Sequence, residues 1–123
     1  MIATESDVLI KRFADAQPYE APNHHGMRSL RLQGFEPLGP KTSWVGLSHF
    51  LPGGSAGPDS SPLEKVYVVL AGALTVRASG EEVTLGPLDS CCIASGETRE
   101  IVNRGNAIAT MIVVMPYPER MNP

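Results

Sequence analysis

Three polar residues of different chemistry stand close together in the stretch between Leu51 and Val76. Asp59, Ser61 and Lys65 offer a carboxylate, a hydroxyl and an ammonium group within one short segment. A carboxylate beside a cation can orient a base or offset a buried charge. The segment is therefore a candidate binding or catalytic site.

Two residues further along the chain can act with these three. Arg99 carries a guanidinium, which binds a carboxylate or a phosphate through two parallel hydrogen bonds. Tyr67 lies two residues after Lys65, so on a strand the two side chains share one face. A tyrosine hydroxyl there can orient a ligand or donate a proton, although packing is the commoner role of a strand tyrosine.

The three histidines of the chain are weaker candidates. His24 and His25 are adjacent in a proline-rich stretch, and adjacent side chains of an extended chain point in different directions. A solvated pair is the simpler interpretation, and the alternative is that one of them closes over a cavity as a proton carrier. His49 shares a predicted strand face with Leu47 and Leu51, where a packed histidine is commoner than a ligand-binding one.

Short strands must position these residues. Apolar runs alternate with Gly, Pro, Asn and Asp, and no window shows a sustained helical period. Eight strands are predicted, at 29–33, 43–51, 65–70, 73–78, 81–85, 90–94, 99–103 and 107–115. The period of two places Lys65 and Tyr67 on one face, and Arg99, Ile101 and Asn103 on one face of another strand. Many short strands with little helix are typical of a sandwich or a small barrel.

Length and composition limit the class of protein. The chain has 123 residues and a formal net charge of -3, and its ten Lys and Arg residues are scattered. One domain is expected, and the lack of a basic patch argues against a nucleic-acid partner. No apolar run approaches the roughly 20 residues of a bilayer span, and the N-terminal stretch does not resemble a signal peptide. Cys91 and Cys92 are adjacent and have no other thiol to pair with, which predicts reduced cysteines and a cytoplasmic location.

The glycines around these candidates resemble the motifs of the cupins, which are small double-stranded β-helix (jelly-roll) barrels. The first cupin motif reads G-x5-H-x-H-x3-E-x6-G, and Gly53 and Gly72 stand at its two glycines. The second reads G-x5-P-x-G-x2-H-x3-N, in which Gly96 and Asn103 are retained while Leu88 replaces the first glycine. The resemblance implies an all-β cupin-type barrel.

The same resemblance gives the domain organisation. It implies a single cupin barrel domain over residues 28–123, with residues 1–27 as an extended N-terminal arm. Cupins are commonly dimers, so we expect a homodimer in which the arm packs over the sheet or reaches a neighbouring subunit.

The metal-binding positions of the family have changed in this chain. Metal-binding cupins use two histidines, a glutamate and a third histidine, and their places are taken here by Asp59, Ser61, Lys65 and Arg99. Charged Lys and Arg have no lone pair for a metal ion, and one carboxylate does not make a site. We therefore predict no metal and no cofactor, and a cavity refitted to bind a small carboxylate-bearing metabolite.

Three functional interpretations stay open. The first is a metal-independent enzyme of the isomerase, lyase or decarboxylase type. The second is a binding or sensor protein without catalysis, and the third is a metal-dependent cupin with an atypical site built from Asp59 and histidines. The predicted site residues are Lys65 and Tyr67 as catalytic groups, and Arg99, Asp59, Ser61, His49 and His24 as ligand-binding groups.

Overall fold

The computed structural model describes residues 8–118. These residues form a nearly closed antiparallel β-barrel, which confirms the predicted all-β jelly-roll. One 3-10 turn at Phe13–Asp15 precedes the strands, and no helix of the described range is long and apolar enough to cross a membrane. The strands are β1 (Gln17–Tyr19), β2 (His24–Gln33), β3 (Ser43–Asp59), β4 (Lys65–Ala71), β5 (Leu74–Ala78), β6 (Glu81–Leu85), β7 (Ser90–Ile93), β8 (Arg99–Val102) and β9 (Ala109–Pro116).

The long strand β3 connects the two halves of the barrel. Its residues 43–50 pair with β9, and its residues 55–59 pair with β8. Strand β2 pairs with β3 as well, and β1 extends the sheet beyond β2. The strand order is β6-β5-β8-β3-β9-β4-β7. Because one strand runs through both halves, its inward residues face the same barrel interior from both sides.

The observed strands follow the predicted ones closely at several places and extend them at others. β6 has the bounds that were predicted, and β3 continues well past the predicted end at residue 51. β2 begins at His24 and β1 lies wholly before it, so both enter the stretch that was predicted as an arm. The division of the chain into arm and barrel stays a prediction.

Residue Leu88 shows how the backbone keeps the family geometry without the family glycine. Its φ is +69°, in the left-handed region that favours glycine, and its side chain is 77% exposed. Its backbone N–H donates to the carbonyl of Val69 at 2.7 Å, which ties the loop to β4. Tertiary hydrogen bonding therefore holds a leucine in a conformation that is unfavourable for it.

The core lies between the inward faces of the strands. Its largest fully buried side chains are Phe50, Leu74, Ile101, Val69 and Asn103. Asn103 is the polar member, and its Nδ2 donates to the carbonyls of Phe50 at 3.0 Å and Ala107 at 2.8 Å. Its Oδ1 accepts the N–H of Gly105 at 2.9 Å. This retained motif residue therefore fixes the turn after β8 to β3.

Candidate functional site

Burial confirms the strand faces that were predicted for the candidate residues. On β4, Lys65 and Tyr67 are buried, whereas Val66 between them is 37% exposed. On β8, Arg99 and Ile101 are buried as well. Two cations and a phenol therefore point into the barrel from strands that the fold brings together.

A cavity of about 360 Å³ occupies the barrel interior. The predicted site residues that line it are His24, Asp59, Ser61, Lys65, Tyr67 and Arg99. Its apolar lining includes Met27, Trp44, Phe50, Ile101, Met111, Val113 and Met115. A few polar groups over a large apolar wall are the usual composition of a pocket for a small organic molecule.

Arg99 and Tyr67 form a buried polar pair in the cavity. Nε of Arg99 donates to the Tyr67 hydroxyl at 2.8 Å. Nη1 of Arg99 is buried and has no hydrogen-bond partner among the described residues. Burial raises the pKa of Tyr67, and the positive charge of Arg99 opposes that rise. The phenol is therefore protonated at neutral pH.

Lys65 lies beside Ser61 at the start of β4. Its Nζ donates to the Ser61 hydroxyl at 3.1 Å, and that hydroxyl also accepts the N–H of Leu63 at 3.2 Å. Burial lowers the pKa of Lys65, repulsion from Arg99 lowers it further, and Asp59 acts in the opposite direction. The ammonium form of Lys65 is thus less favoured here than in water.

The adjacent histidines separate, as expected for an extended chain. His24 lines the cavity, and burial together with the charge of Arg99 lowers its pKa. His25 is exposed, and its Nε2 lies 3.3 Å from Oδ1 of Asn23. Nδ2 of Asn23 donates to the carbonyl of Pro58 at 3.1 Å, which fixes the turn before His24 against the end of β3.

His49 is the predicted site residue that the structure does not bring to the cavity. It shares a strand with Phe50, but the two side chains point to opposite faces, and Phe50 is the one that faces inward. Nδ1 of His49 lies 3.0 Å from the Thr110 hydroxyl on β9. His49 therefore lies outside the lining of this cavity, and its assignment to the ligand-binding group stays a prediction that the cavity geometry does not support.

Three polar residues of the cavity lining, Tyr19, Ser48 and Ser60, were not among the predicted ones. The period of two places Ser48 on the same face as Trp44 and Phe50, which was a usable signal for an inward position. Tyr19 had no such signal, because it lies on β1, a three-residue strand that contains Pro18. Only its pairing with β2 places it over the cavity.

The residues in the cavity do not fit the metal site of metal-binding cupins. Asp59 and His24 are the carboxylate and the imidazole of its lining. Lys65 and Arg99 at the former ligand positions offer hydrogen-bond donors and no lone pair in their charged forms. Within residues 8–118, no group of three His, Cys, Asp or Glu side chains is placed to hold a metal ion.

The fold and the motif positions define a jelly-roll barrel of the cupin class. Residues 46–115 match the model of the cupin domain family, and the chain belongs to this family. It is 44% identical over 109 residues to beta-D-galactosidase Rv1717 of Mycobacterium tuberculosis, which covers 89% of this chain and 94% of that protein. It is 31% identical over 105 residues to the tetracenomycin polyketide synthase protein TcmJ of Streptomyces glaucescens, with 80% of this chain and 70% of that protein covered.

Solved structures show the same fold at lower identity. The polyketide cyclase RemF from Streptomyces resistomycificus superposes with a TM-score of 0.76 at 22% identity, over 88% of this chain and 80% of that one. An RmlC-like cupin from Shewanella frigidimarina superposes with a TM-score of 0.72 at 14% identity, over 89% of this chain and 91% of that one. These similarities concern the barrel and not its chemistry.

Proposed function

We propose that the barrel cavity binds a small organic anion on Arg99 without a metal ion. The observation that carries this proposal is the buried Nη1 of Arg99, which has no partner among the described residues. A buried donor of a charged group without an acceptor costs free energy, and a ligand oxygen can recover it. Because Nε is engaged with Tyr67, the two Nη atoms form the side of the guanidinium that a carboxylate can bind.

The charge of the cavity lining supports an anionic ligand. Arg99 and Lys65 are two cations, whereas Asp59 is the one carboxylate that lines the cavity among the described residues. Their mutual repulsion contributes to the lowered pKa of Lys65. A bound carboxylate would offset this repulsion, so binding is favoured by the whole cluster and not by Arg99 alone.

The same groups can move a proton next to a carbonyl of the bound anion. Lys65 in its neutral form takes a proton from the carbon beside the carbonyl, and the electron pair moves into the carbonyl. The Tyr67 hydroxyl donates to the oxygen that gains charge, with Arg99 nearby as the stabilising cation. In a ligand whose carbanion is conjugated with a carbon–carbon double bond, the proton returns to the far carbon of that bond, the double bond shifts by one position and the carbonyl re-forms. This isomerisation consumes no oxidant or reductant.

Calorimetry with a panel of small carboxylates tests the binding step. We expect Arg99→Gln to weaken the best ligand by about 10-fold or more, because a charge-assisted pair is lost. Arg77→Gln is the matched control, since Arg77 is exposed and pairs with Glu82 and Glu100 away from the cavity. No carboxylate ligand, or equal affinity in Arg99→Gln, would contradict the proposal.

Proton NMR in D2O tests the catalytic step separately. Exchange of the ligand C–H hydrogens that is lost in Lys65→Met would support an enzyme of the isomerase or lyase type. Tight binding without exchange for any ligand of the panel would instead support the non-catalytic binding protein.

A second candidate function is hydrolysis of a β-galactoside. It is favoured by the 44% identity to the protein named beta-D-galactosidase, over nearly the full length of both chains. Glycosidases generally use two carboxyl groups that flank the scissile bond, and the cavity lining offers only Asp59 among the described residues. We therefore place this function second.

Hydrolysis of nitrophenyl β-D-galactoside by protein from a galactosidase-deficient host decides this candidate. If the wild type and Glu97→Gln hydrolyse the substrate and Asp59→Asn does not, hydrolysis of a β-galactoside becomes the favoured function. Glu97 is the control because it lies outside the cavity lining and binds Ser79 through both carboxylate oxygens. Absence of turnover would remove the candidate.

The homodimer, the cytoplasmic location and the absence of a nucleic-acid partner remain proposals. Val66 and Leu70 on the outer face of β4 are 37% and 38% exposed, which is the kind of surface that a second copy can cover. Light scattering of the purified protein measures the mass in solution and tests the dimer directly.

A further inference from the structure

A second group of polar side chains lies on the neighbouring strands β1, β2 and β3 at one side of the cavity. Ser29 and Ser48 are each 4% exposed, and their hydroxyl oxygens lie 2.9 Å apart. Tyr19 lies directly opposite Ser29 in the pairing of β1 with β2, and Ser29 lies directly opposite Ser48 in the pairing of β2 with β3, so the three side chains are cross-strand neighbours. Tyr19 and Ser48 line the cavity. This hydroxyl cluster, Tyr19, Ser29 and Ser48, lies outside the stretch 53–103 that carries the cupin motifs.

The position of the Tyr19 phenol is built into the surrounding structure. A Cβ atom at Gly46 would lie only 2.8 Å from the Tyr19 oxygen, so glycine makes room for the hydroxyl. The Tyr19 ring packs edge-on against Trp44 with centroids 5.4 Å apart, and the Arg31 guanidinium lies 5.1 Å from its centroid. These contacts hold the phenol oxygen beside the two serines.

The hydroxyl cluster keeps unused hydrogen-bonding capacity. Three hydroxyls supply three donors and six acceptor lone pairs, and contacts among the three use at most three of each. The hydrogen bond between Ser29 and Ser48 uses one donor and one lone pair of these two hydroxyls. Lone pairs therefore remain for a group that enters the cavity, and a hydroxyl is the group that can both donate to and accept from such a cluster.

We infer that the hydroxyl cluster is a second subsite, which receives a hydroxyl group of the ligand whose anionic end binds Arg99. The apolar part of the lining includes Trp44, Phe50 and Met111, and this wall suits a ligand whose body is apolar or aromatic. The ligand class is thus a hydroxylated carboxylic acid. This inference rests on the proposed anion site at Arg99.

Calorimetry with phenylacetate and its 2-, 3- and 4-hydroxy derivatives tests the inference. At least one hydroxylated acid should bind the wild-type protein about 3- to 10-fold more tightly than phenylacetate, the range of one neutral hydrogen bond. That advantage should fall to less than about 2-fold in Tyr19→Phe and in Ser48→Ala, whereas phenylacetate itself should bind both variants as it binds the wild type.

Thr75→Val is the matched control for these variants. Thr75 is buried, and its hydroxyl pairs with that of Thr84 at 3.0 Å, but it does not line the cavity. Its removal deletes a buried hydroxyl without touching the subsite, so the advantage of the hydroxylated acid should persist. Circular dichroism checks the fold of each variant, and if Ser48→Ala does not fold, Tyr19→Phe alone decides because it removes a single oxygen.

The outcomes separate the subsite from the anion site. If phenylacetate binds but no hydroxylated acid is favoured, or if the advantage survives in Tyr19→Phe, the subsite is refuted and the anion site stands. If Arg99→Gln binds the acids as tightly as the wild type does, or if none of the four acids binds the wild type, the anion site fails and the subsite fails with it.

Discussion

The guanidinium of Arg99 and the phenol of Tyr67 form a buried pair, in which Nε donates to the phenol oxygen at 2.8 Å. The two residues lie on β8 and β4, and closure of the barrel brings them together. Because the phenol oxygen accepts a hydrogen from a cation, its own proton is directed elsewhere and can serve a ligand. The pair therefore couples a site for an anion to a proton donor.

Tyr67→Phe should destabilise the protein by leaving Nε of Arg99 without an acceptor. We expect the free energy of unfolding, measured in urea, to fall by about 1–3 kcal/mol, the cost of a buried unsatisfied donor. In an Arg99→Met background the same substitution should cost much less, because the donor is absent. Equal costs in the two backgrounds would show that the hydrogen bond does not stabilise the fold.

Gly57→Ala should displace the Arg99 guanidinium. A Cβ atom at Gly57, where φ is +90°, would lie 2.7 Å from Nη1 of Arg99 and 2.6 Å from its carbonyl oxygen. Gly80→Ala is the control, since its φ is +73° and a Cβ atom there meets nothing within 4 Å. The positive φ alone should lower the free energy of unfolding by about 1–2 kcal/mol in either variant. The clash with Arg99 should lower it further in Gly57→Ala, and only this variant should bind carboxylates more weakly. Equal effects of the two variants would contradict this account.

Lys65→Met should stabilise the protein and change how its stability depends on pH. The pKa of Lys65 in the folded protein lies below its ordinary value of 10.5, so the unfolded chain binds more protons between those two pH values. The free energy of unfolding of the wild type should therefore rise with pH across that window. Replacing the buried ammonium with an apolar side chain should raise the free energy of unfolding by on the order of 1 kcal/mol at neutral pH. It should also make the free energy of unfolding depend less on pH across the window. Urea unfolding from pH 7 to 10.5 measures both effects, and a lower stability of the variant at neutral pH would overturn the prediction.

Leu88→Gly should stabilise the loop between β6 and β7. The left-handed conformation is sterically unfavourable for Leu88, whereas glycine adopts it without steric cost. The exposed side chain of Leu88 contributes little burial. Glycine also has more entropy in the unfolded chain, which offsets part of this effect. We therefore expect the free energy of unfolding to rise by about 0.5–1 kcal/mol. Thermal unfolding compares the two proteins, and Pro87→Gly, next to it, serves as a control that should not stabilise.

Much of the fold and of the site could be predicted from the sequence because the period of a strand is a local property. Alternation alone put Lys65 with Tyr67 and Arg99 with Ile101 on shared faces, and the burial of all four side chains confirms this grouping. Spacing between glycines and polar residues gave the cupin resemblance, and the family match confirms it. The replacement of metal-binding positions by Lys65 and Arg99 was likewise visible in the sequence.

The tertiary structure alone decided which side chains meet. Alternation divides β3 into two faces but does not say which face points inward. In the structure, Ser48 and Phe50 line the cavity, and His49 on the other face contacts Thr110. Tyr19 reaches the cavity only through the pairing of a three-residue strand with β2. That Nη1 of Arg99 has no hydrogen-bond partner within residues 8–118 likewise depends on which strands close around it. Periodicity follows from the geometry of one strand, whereas pairing and closure depend on contacts between distant segments, which no local pattern records.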